Sequence, residues 1–485
     1  MKKSFYLFLF FFSSIIYSQS QFQQFINHVN SLPTIQQKTV AVDSFMIYAR
    51  SVGIPFIEDS TANFIYLGNY STVSAAGDFN NWSATAWPLT RLSQTNFWYR
   101  SQAFEMDARL DYKFVLNGSN WILDPENPLT CSGGFGPNSE LAMPEYIQPW
   151  EIQYKPNILH GTVLTKSIYS VNTSVSYQLN IYLPPGYDTS SALTYPAAYF
   201  QDGGEYISLA SAVKVIDNLI DSNKIKPLIG VFVTPNNRNE EYAYSKRNQY
   251  RLFFVNELVP YIDNNYKTIE DPTNRLVLGD SFGGNISALI SYNHPEVFGL
   301  CGLHSAAFWP NSYETLVLIT SGPIKPIKWC SIWGTYESLY PELRSFRDFL
   351  LGNNCQLDWL ERPEGHSWGL WRASLDRMLE YYFPVNPSGI TPDENLTVSN
   401  FKLYQNYPNP FNPTTTISYD LQTSDFVTLK IYDLLGSEIT TLVNEQQQAG
   451  FHKIVFNANE LSSGMYFGTL QSNNKTLTNK MILIK

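Results

Sequence analysis

A central α/β segment flanked by two β-rich segments is the fold class this sequence predicts, and three observations predict it. Apolar runs at 178–183, 195–200, 229–234, 275–279, 299–303, 328–333 and 356–361 alternate with helix-like stretches. That alternation is the pattern of a sheet whose strands are joined by helical crossovers. Residues 62–140 and 401–485 instead read as strand, turn, strand. A break in composition at Val385-Asn386-Pro387-Ser388-Gly389-Ile390-Thr391-Pro392 reads as a linker between compact regions. At 485 residues, about three domains are expected.

Residues 1–18 read as a secretory signal peptide. Lys2-Lys3 precede an apolar run from Phe5 to Ile16, and Tyr17-Ser18-Gln19 offers a small-residue cleavage site. The run is too short to span a bilayer, and no later run is long enough. The mature chain is therefore expected outside the cytoplasm, without a transmembrane segment. Residues 19–60 read as short helices interrupted at Pro33.

Residues 61–146 turn to strands: Asn63-Phe64-Ile65-Tyr66-Leu67, Val73-Ser74-Ala75-Ala76-Gly77-Asp78-Phe79-Asn80-Asn81-Trp82 and Leu110-Asp111-Tyr112-Lys113-Phe114-Val115-Leu116. Asn117-Gly118 is a hairpin turn signal on local grounds. Trp121-Ile122-Leu123-Asp124-Pro125 and Asn138-Ser139-Glu140 follow. This order resembles the early-set modules of glycogen-branching enzymes and carbohydrate-binding module family 48. The resemblance implies an immunoglobulin-like β-sandwich. Trp82, Trp87 and Trp121 are its candidate carbohydrate-binding residues, because indole faces stack on sugar rings. Two other readings stay open: Trp82 and Trp121 fill the sandwich core, or the module packs on the next domain and shapes its pocket.

Residues 147–384 carry the chemistry. Gly279-Asp280-Ser281-Phe282-Gly283 follows the apolar run Arg275-Leu276-Val277-Leu278 and precedes a helix-like run from Asn285 to Tyr292. Strand, glycine turn, serine and helix make a nucleophile elbow, with Ser281 as candidate nucleophile and the Phe282 N–H as an oxyanion donor. A serine needs a base and an orienting acid. Among six histidines, His366 lies in a loop after a late strand, in Glu364-Gly365-His366-Ser367-Trp368. Glu337 lies at a strand exit, in Gly334-Thr335-Tyr336-Glu337, between serine and histidine as this class of triad orders its acid. Asp358 and Glu361 lie on or beside the following strand. A helix N-terminal carboxylate is the other reading of Glu337. The loop Gln201-Asp202-Gly203-Gly204 follows an earlier strand, so Asp202 or Gly203 is expected to supply the second oxyanion donor.

Several stretches together resemble the esterase D and enterochelin-esterase group of α/β-hydrolases. This group includes carbohydrate esterase family 1, with its feruloyl and acetylxylan esterases. The matching stretches are Tyr182-Leu183-Pro184-Pro185-Gly186-Tyr187, Phe200-Gln201-Asp202-Gly203, Asn256-Glu257-Leu258-Val259-Pro260, Gly279 to Gly284 and Gly365-His366-Ser367-Trp368-Gly369-Leu370-Trp371. The resemblance implies an α/β-hydrolase with Ser281 as nucleophile, His366 as base and then acid, and an acyl-enzyme resolved by water. Asp202-Gly203 stands where many relatives have His-Gly, which resembles the enterochelin-esterase side of the group. Gln201, Trp309, Trp333, Tyr336 and Trp368 lie near the triad elements and are the candidate substrate-binding residues, with wall packing as the alternative.

Composition narrows the partners. Net charge is −10 without a basic cluster, which argues against nucleic acid or an anionic membrane. Cys131, Cys301, Cys330 and Cys355 show no metal-ligand spacing, and no metal or cofactor is expected. One disulfide among the last three and buried free thiols are both compatible with the pattern.

Residues 385–398 form the linker. From 399 to 485, Phe401-Lys402-Leu403-Tyr404-Gln405-Asn406-Tyr407-Pro408-Asn409-Pro410-Phe411-Asn412-Pro413-Thr414 opens a series of alternating strands that ends at Lys480-Met481-Ile482-Leu483-Ile484-Lys485. This tail resembles the C-terminal sorting domain of the type IX secretion system and implies that machinery as a partner. It also implies outer-membrane translocation, then surface attachment or release; a plain β-sandwich adhesion module is the other reading. Taken together, the expected function is a secreted serine esterase of feruloyl type acting on esterified polysaccharide or oligosaccharide. The alternatives are an acetylxylan esterase, a siderophore-trilactone esterase and a non-catalytic glycan-binding surface protein.

Overall fold

The computed structural model describes residues 19–134, 136–385, 401–406, 409–421, 423–448, 450–473 and 475–484. The expected signal peptide, and the linker beyond Val385, lie outside them. The chain divides into two compact units at Val385.

The larger unit is built on one sheet of eight strands: β1 (Thr162–Ser170), β2 (Val175–Leu183), β3 (Ala197–Phe200), β4 (Ile229–Thr234), β5 (Arg275–Asp280), β6 (Leu300–His304), β7 (Lys328–Gly334) and β8 (Leu357–Arg362). Their spatial order is β1-β2-β4-β3-β5-β6-β7-β8. β2 runs antiparallel to both β1 and β4, and the remaining pairs are parallel. Because side chains alternate across a strand, Ala198, Phe200, Leu276 and Leu278 enter one apolar core while Ala197, Tyr199 and Val277 enter a second. Two covered faces explain the near-continuous apolar runs of β3 to β7. β1 escapes the pattern: it is an edge strand with mostly exposed residues, so its hydropathy carries no strand signal.

Ahead of this sheet lie two helices, Gln21–Ser31 and Ile35–Val52. The Ser20 and Thr34 hydroxyls accept from the backbone N–H of Gln23 and Gln37, satisfying helix-start donors that have no partner within the helix. The first module strand, Phe56–Glu58, already pairs with Thr61–Leu67, so the sheet begins inside the stretch read as helical. One module sheet runs Phe56–Glu58, Thr61–Leu67, Phe97–Ala103, Thr90–Arg91; the other runs Val73–Gly77, Arg109–Leu116, Gly136–Ala142, Thr130–Gly133. They enclose Phe64, Ala75, Leu110, Tyr112 and Phe114, and Tyr336 of the α/β region packs against the same core. The helices cover Ile65 and Phe97 on the opposite face of the first sheet.

The smaller unit holds a sheet of Lys402–Leu403, Thr414–Leu421 and Gly450–Asn457, and a second of Glu438–Gln447, Asp425–Tyr432, Gly464–Ser472 and Lys475–Leu483. Val427, Leu429 and Ile431 alternate inward and meet Ile417, Tyr419 and Leu421. All four cysteines of the chain are free thiols, and the buried Cys301 and Cys330 sit on adjacent parallel strands. No helix among the described residues is long and apolar enough to cross a membrane.

Candidate active site

β5 ends at Asp280, and the helix Phe282–Asn293 begins one residue past Ser281. Ser281 therefore occupies the whole turn, with φ 53° and ψ −118°. For a residue bearing a Cβ this conformation costs roughly 1–3 kcal/mol, and it persists because neighbours over-determine it. The Ser281 N–H donates to the His304 carbonyl (2.9 Å), and the Ser281 carbonyl accepts from Ala307 N–H (2.9 Å) and Asn285 N–H (3.2 Å). A Cβ on Gly279 would fall 2.5 Å from the Gly283 carbonyl, so only glycine lets the helix turn back this tightly.

Glu337 and His366 meet from the ends of β7 and β8. His366 Nδ1 donates to Glu337 Oε2 at 2.5 Å. The other carboxylate oxygen accepts from the Gly334 N–H and the Ser305 hydroxyl, each at 2.8 Å. Ser305 in turn accepts from the Trp371 indole at 3.1 Å. The carboxylate is thus buried with every bond directed, and the imidazole, edge-on to Trp371, keeps its second nitrogen for other work. Asp358 and Glu361 are committed elsewhere, to Arg377 and to Arg344 with Trp333. His304 donates or accepts only within the core, beside Tyr206; burial pushes it down to about 3, so it stays neutral.

Ser281, Phe282, Glu337 and His366 all line one cavity of about 810 Å³. As the first helical residue, Phe282 has a backbone N–H without an intrahelical partner. Trp309, Tyr336 and Trp368 line the same cavity, Trp309 resting on Phe282 and Trp368 on Tyr206 and Trp371. Trp82 and Trp121 reach it from the module, ring centroids 6.5 Å apart and planes 26° apart. They are not sandwich core.

Other expected site residues sit elsewhere. Gln201 is fully buried and accepts from the Tyr250 hydroxyl, out of reach of a substrate. Trp333 is fully buried in the core beside β8, because its parity along β7 turns it away from the cavity. Trp87 stacks on Phe79 at 4.2 Å, with the Arg100 guanidinium 4.5 Å over its ring, so it has no open platform for a sugar. The Asp202 N–H is spent on the Tyr242 hydroxyl at 3.0 Å, and neither Asp202 nor Gly203 lines the cavity. The Cα of Gly203 instead packs on the backbone of Phe232.

Asp202 has a different task. Its carboxylate accepts from Arg238 Nε (2.9 Å) and Nη2 (2.7 Å), and the same Nη2 reaches the Asp280 carbonyl at 3.4 Å. The guanidinium lines the cavity beside Ser281 and Phe282. Burial pushes the Asp202 and Asp280 carboxyls up, and Arg238 opposes this in both. A fixed cation at the serine can stabilise negative charge developing there. Arg238 escaped the sequence reading, although its signal was present: it follows β4 at the same sheet end, in Asn236-Asn237-Arg238-Asn239.

Glu364 lies under the His366 loop, fully buried, and neither carboxylate oxygen has a hydrogen-bond partner among the described residues. Burial pushes it up to about 7, opposed by Arg109 and Arg362. The folded chain holds this proton where the unfolded chain has lost it. Its stabilising contribution is complete below the ordinary value of 4.5 and is lost as pH rises to about 7. Glu364→Gln is therefore expected to flatten the fall in stability across that window, by about 3 kcal/mol at most. Urea unfolding of both proteins at about pH 5 and about pH 8 measures this; parallel losses would refute it.

Residues 170–382 match the family model described as putative esterase, and residues 405–485 match that of the secretion system C-terminal sorting domain. A protein of Xylanibacter ruminicola named endo-1,4-beta-xylanase/feruloyl esterase is 33% identical over 163 residues, covering 31% of this chain and 22% of that protein. This chain thus spans about a fifth of that relative. The uncharacterized protein YbbA of Bacillus subtilis is 27% identical over 173 residues, covering 33% of this chain and 68% of that one. Among solved structures, the enterobactin esterase of Shigella flexneri shares the fold with a TM-score of 0.57 at 18% identity, covering 66% of this chain and 92% of that one. Sequence and sheet order agree: the central segment matches the esterase family model and folds as an α/β-hydrolase-like core, and the terminal segment matches the sorting-domain model, which points to type IX secretion and export to the cell surface.

Proposed function

We propose that this chain is an exported serine carboxylic-ester hydrolase with a Ser281-His366-Glu337 triad, and that its substrate is a feruloyl-type ester of plant polysaccharide. One observation carries the reading: a single cavity joins Ser281, the His366–Glu337 pair and two module indoles. His366 Nε2 takes the Ser281 proton as Oγ attacks the ester carbonyl, and returns it to the departing alcohol. Glu337 holds the imidazole in the tautomer this requires and stabilises the imidazolium. Phe282 N–H and the Arg238 guanidinium bear on the oxyanion. Water then attacks the acyl-enzyme by the same route, releasing the acid.

The cavity wall supports an aromatic acid on a sugar over a polyanionic ligand. It carries Asp78, Asp111, Glu205, Asp280 and Glu337, while its cations are Lys113 and an Arg238 already paired with two carboxylates. With Lys113 as its one unpaired cation among the described residues, such a wall offers little to hold a multiply charged catecholate. Trp82 and Trp121, with Trp309 and Trp368, give flat faces for a phenyl ring and a pyranose. On this reading the N-terminal region is an immunoglobulin-like module, residues 61–146, that walls the active site of a hydrolase domain at 147–384. Residues 1–18 direct export, and 399–485 are read by the sorting machinery.

The test is acid release from methyl ferulate, feruloylated arabinoxylan, acetylated xylan and a catecholate trilactone. Ferulate release with little hydrolysis of the trilactone is expected. Hydrolysis of the trilactone or of acetyl esters alone would replace the substrate; inertness toward all four would favour a glycan-binding protein.

A further inference from the structure

The loop carrying His366 is only partly held by its own domain. Glu337 fixes one ring nitrogen and Trp371 meets the ring edge. The loop backbone is shared: the Glu364 carbonyl accepts from Tyr336 N–H of its own domain at 3.0 Å, and the rest of its support comes from the N-terminal module. Arg109 N–H donates to the Pro363 carbonyl at 3.1 Å, and Arg109 bridges Glu364 in parallel register. Its Nη1 donates to the Ser367 hydroxyl at 3.1 Å. The guanidinium is itself immobile: it is fully buried, with Asp111 at 2.6 Å and Glu140 at 2.7 Å. Glu140 also binds Arg372, on the helix that follows the loop.

Two glycines flank the histidine, and backbone angle explains neither, since neither has a positive φ. Space explains both. A Cβ on Gly365 would fall 2.0 Å from Asp78 Cγ, and one on Gly369 would fall 1.9 Å from Arg109 Nη1. Asp78 cannot retreat, because its carboxylate accepts from Asp111 N–H at 2.7 Å and from the Trp82 indole at 3.0 Å.

We propose that Asp78 and Arg109 of the module are positioning residues for His366, so that the module completes the catalytic centre as well as walling it. This rests on His366 being the base of the proposed reaction. The decisive experiment uses the full chain and p-nitrophenyl acetate, too small to need the module's indoles. Gly365→Ala is expected to lower kcat about 10²-fold with KM little changed, because a displacement of about 1 Å at a catalytic group costs that much. Fluorophosphonate labelling of Ser281 should slow in parallel. Combining Gly365→Ala with Asp78→Gly vacates the space from the module side and should restore most of kcat. A merely local defect in the loop would not respond to a change in another domain. Wild-type kcat in the single variant, or no recovery in the double, overturns the proposal. If Gly365→Ala does not fold, Ser367→Ala removes only the Arg109 contact: reduced kcat at constant KM supports the inference, and unchanged kcat overturns it. A wild-type chain that neither labels nor hydrolyses would sink the esterase reading first, and this one with it.

Discussion

Ser281→Ala is expected to abolish ester hydrolysis, lowering kcat by roughly 10⁶-fold. On the proposed mechanism the loss is large because the hydroxyl is the bond-forming atom, and the buried, neutral His304 behind it cannot stand in for it. The residual rate should be what Phe282 N–H, Arg238 and binding alone supply to water attack. Alanine retains the turn, so the unfolding midpoint should move little. Single-turnover hydrolysis of p-nitrophenyl acetate, with mass spectrometry of the fluorophosphonate adduct, measures both parts. A variant that still turns over, or still labels stoichiometrically, would remove Ser281 from the chemistry.

Glu337→Gln is expected to cost roughly 10⁴-fold in kcat with KM nearly constant. The amide oxygen can still accept from Gly334 N–H and the Ser305 hydroxyl, as Oε1 does now. The amide nitrogen then faces His366 Nδ1 and donates, where the native carboxylate accepts. The imidazole must carry its proton on the wrong nitrogen, and Nε2, the proposed base, can no longer take one. Steady-state kinetics with a fluorophosphonate titration of active sites tests this. A modest loss, near tenfold, would mean that the carboxylate only packs the loop.

What the sequence discloses and what it conceals divide along a physical line. The placement of Ser281, His366 and Glu337 on one cavity is legible because each is set by its own strand: an elbow after β5, and strand exits after β7 and β8. The strand positions of the central sheet are legible for the same reason, save β1, whose exposed edge has no apolar period. Side-chain direction is less legible. Trp333 is the penultimate residue of β7 yet points into the core, and parity with Trp329 is the clue that predicts it. The donor expected at Asp202 fails for a longer-range reason. Tyr242, forty positions on, occupies that N–H, and Arg238 takes the carboxylate. Trp82, Trp87 and Trp121 look alike in sequence; only the meeting of two domains puts the first and last at the cavity and leaves the other in the module.

The backbone at Ser281 is held in a shape that a glycine would adopt without steric strain. On the proposed mechanism the molecule therefore carries, at its most consequential position, a residue whose backbone shape favours glycine. Any laboratory evolution of this chain that rewards yield or heat tolerance without assaying turnover will drift toward inactive winners there. The serine survives only under a selection that counts product.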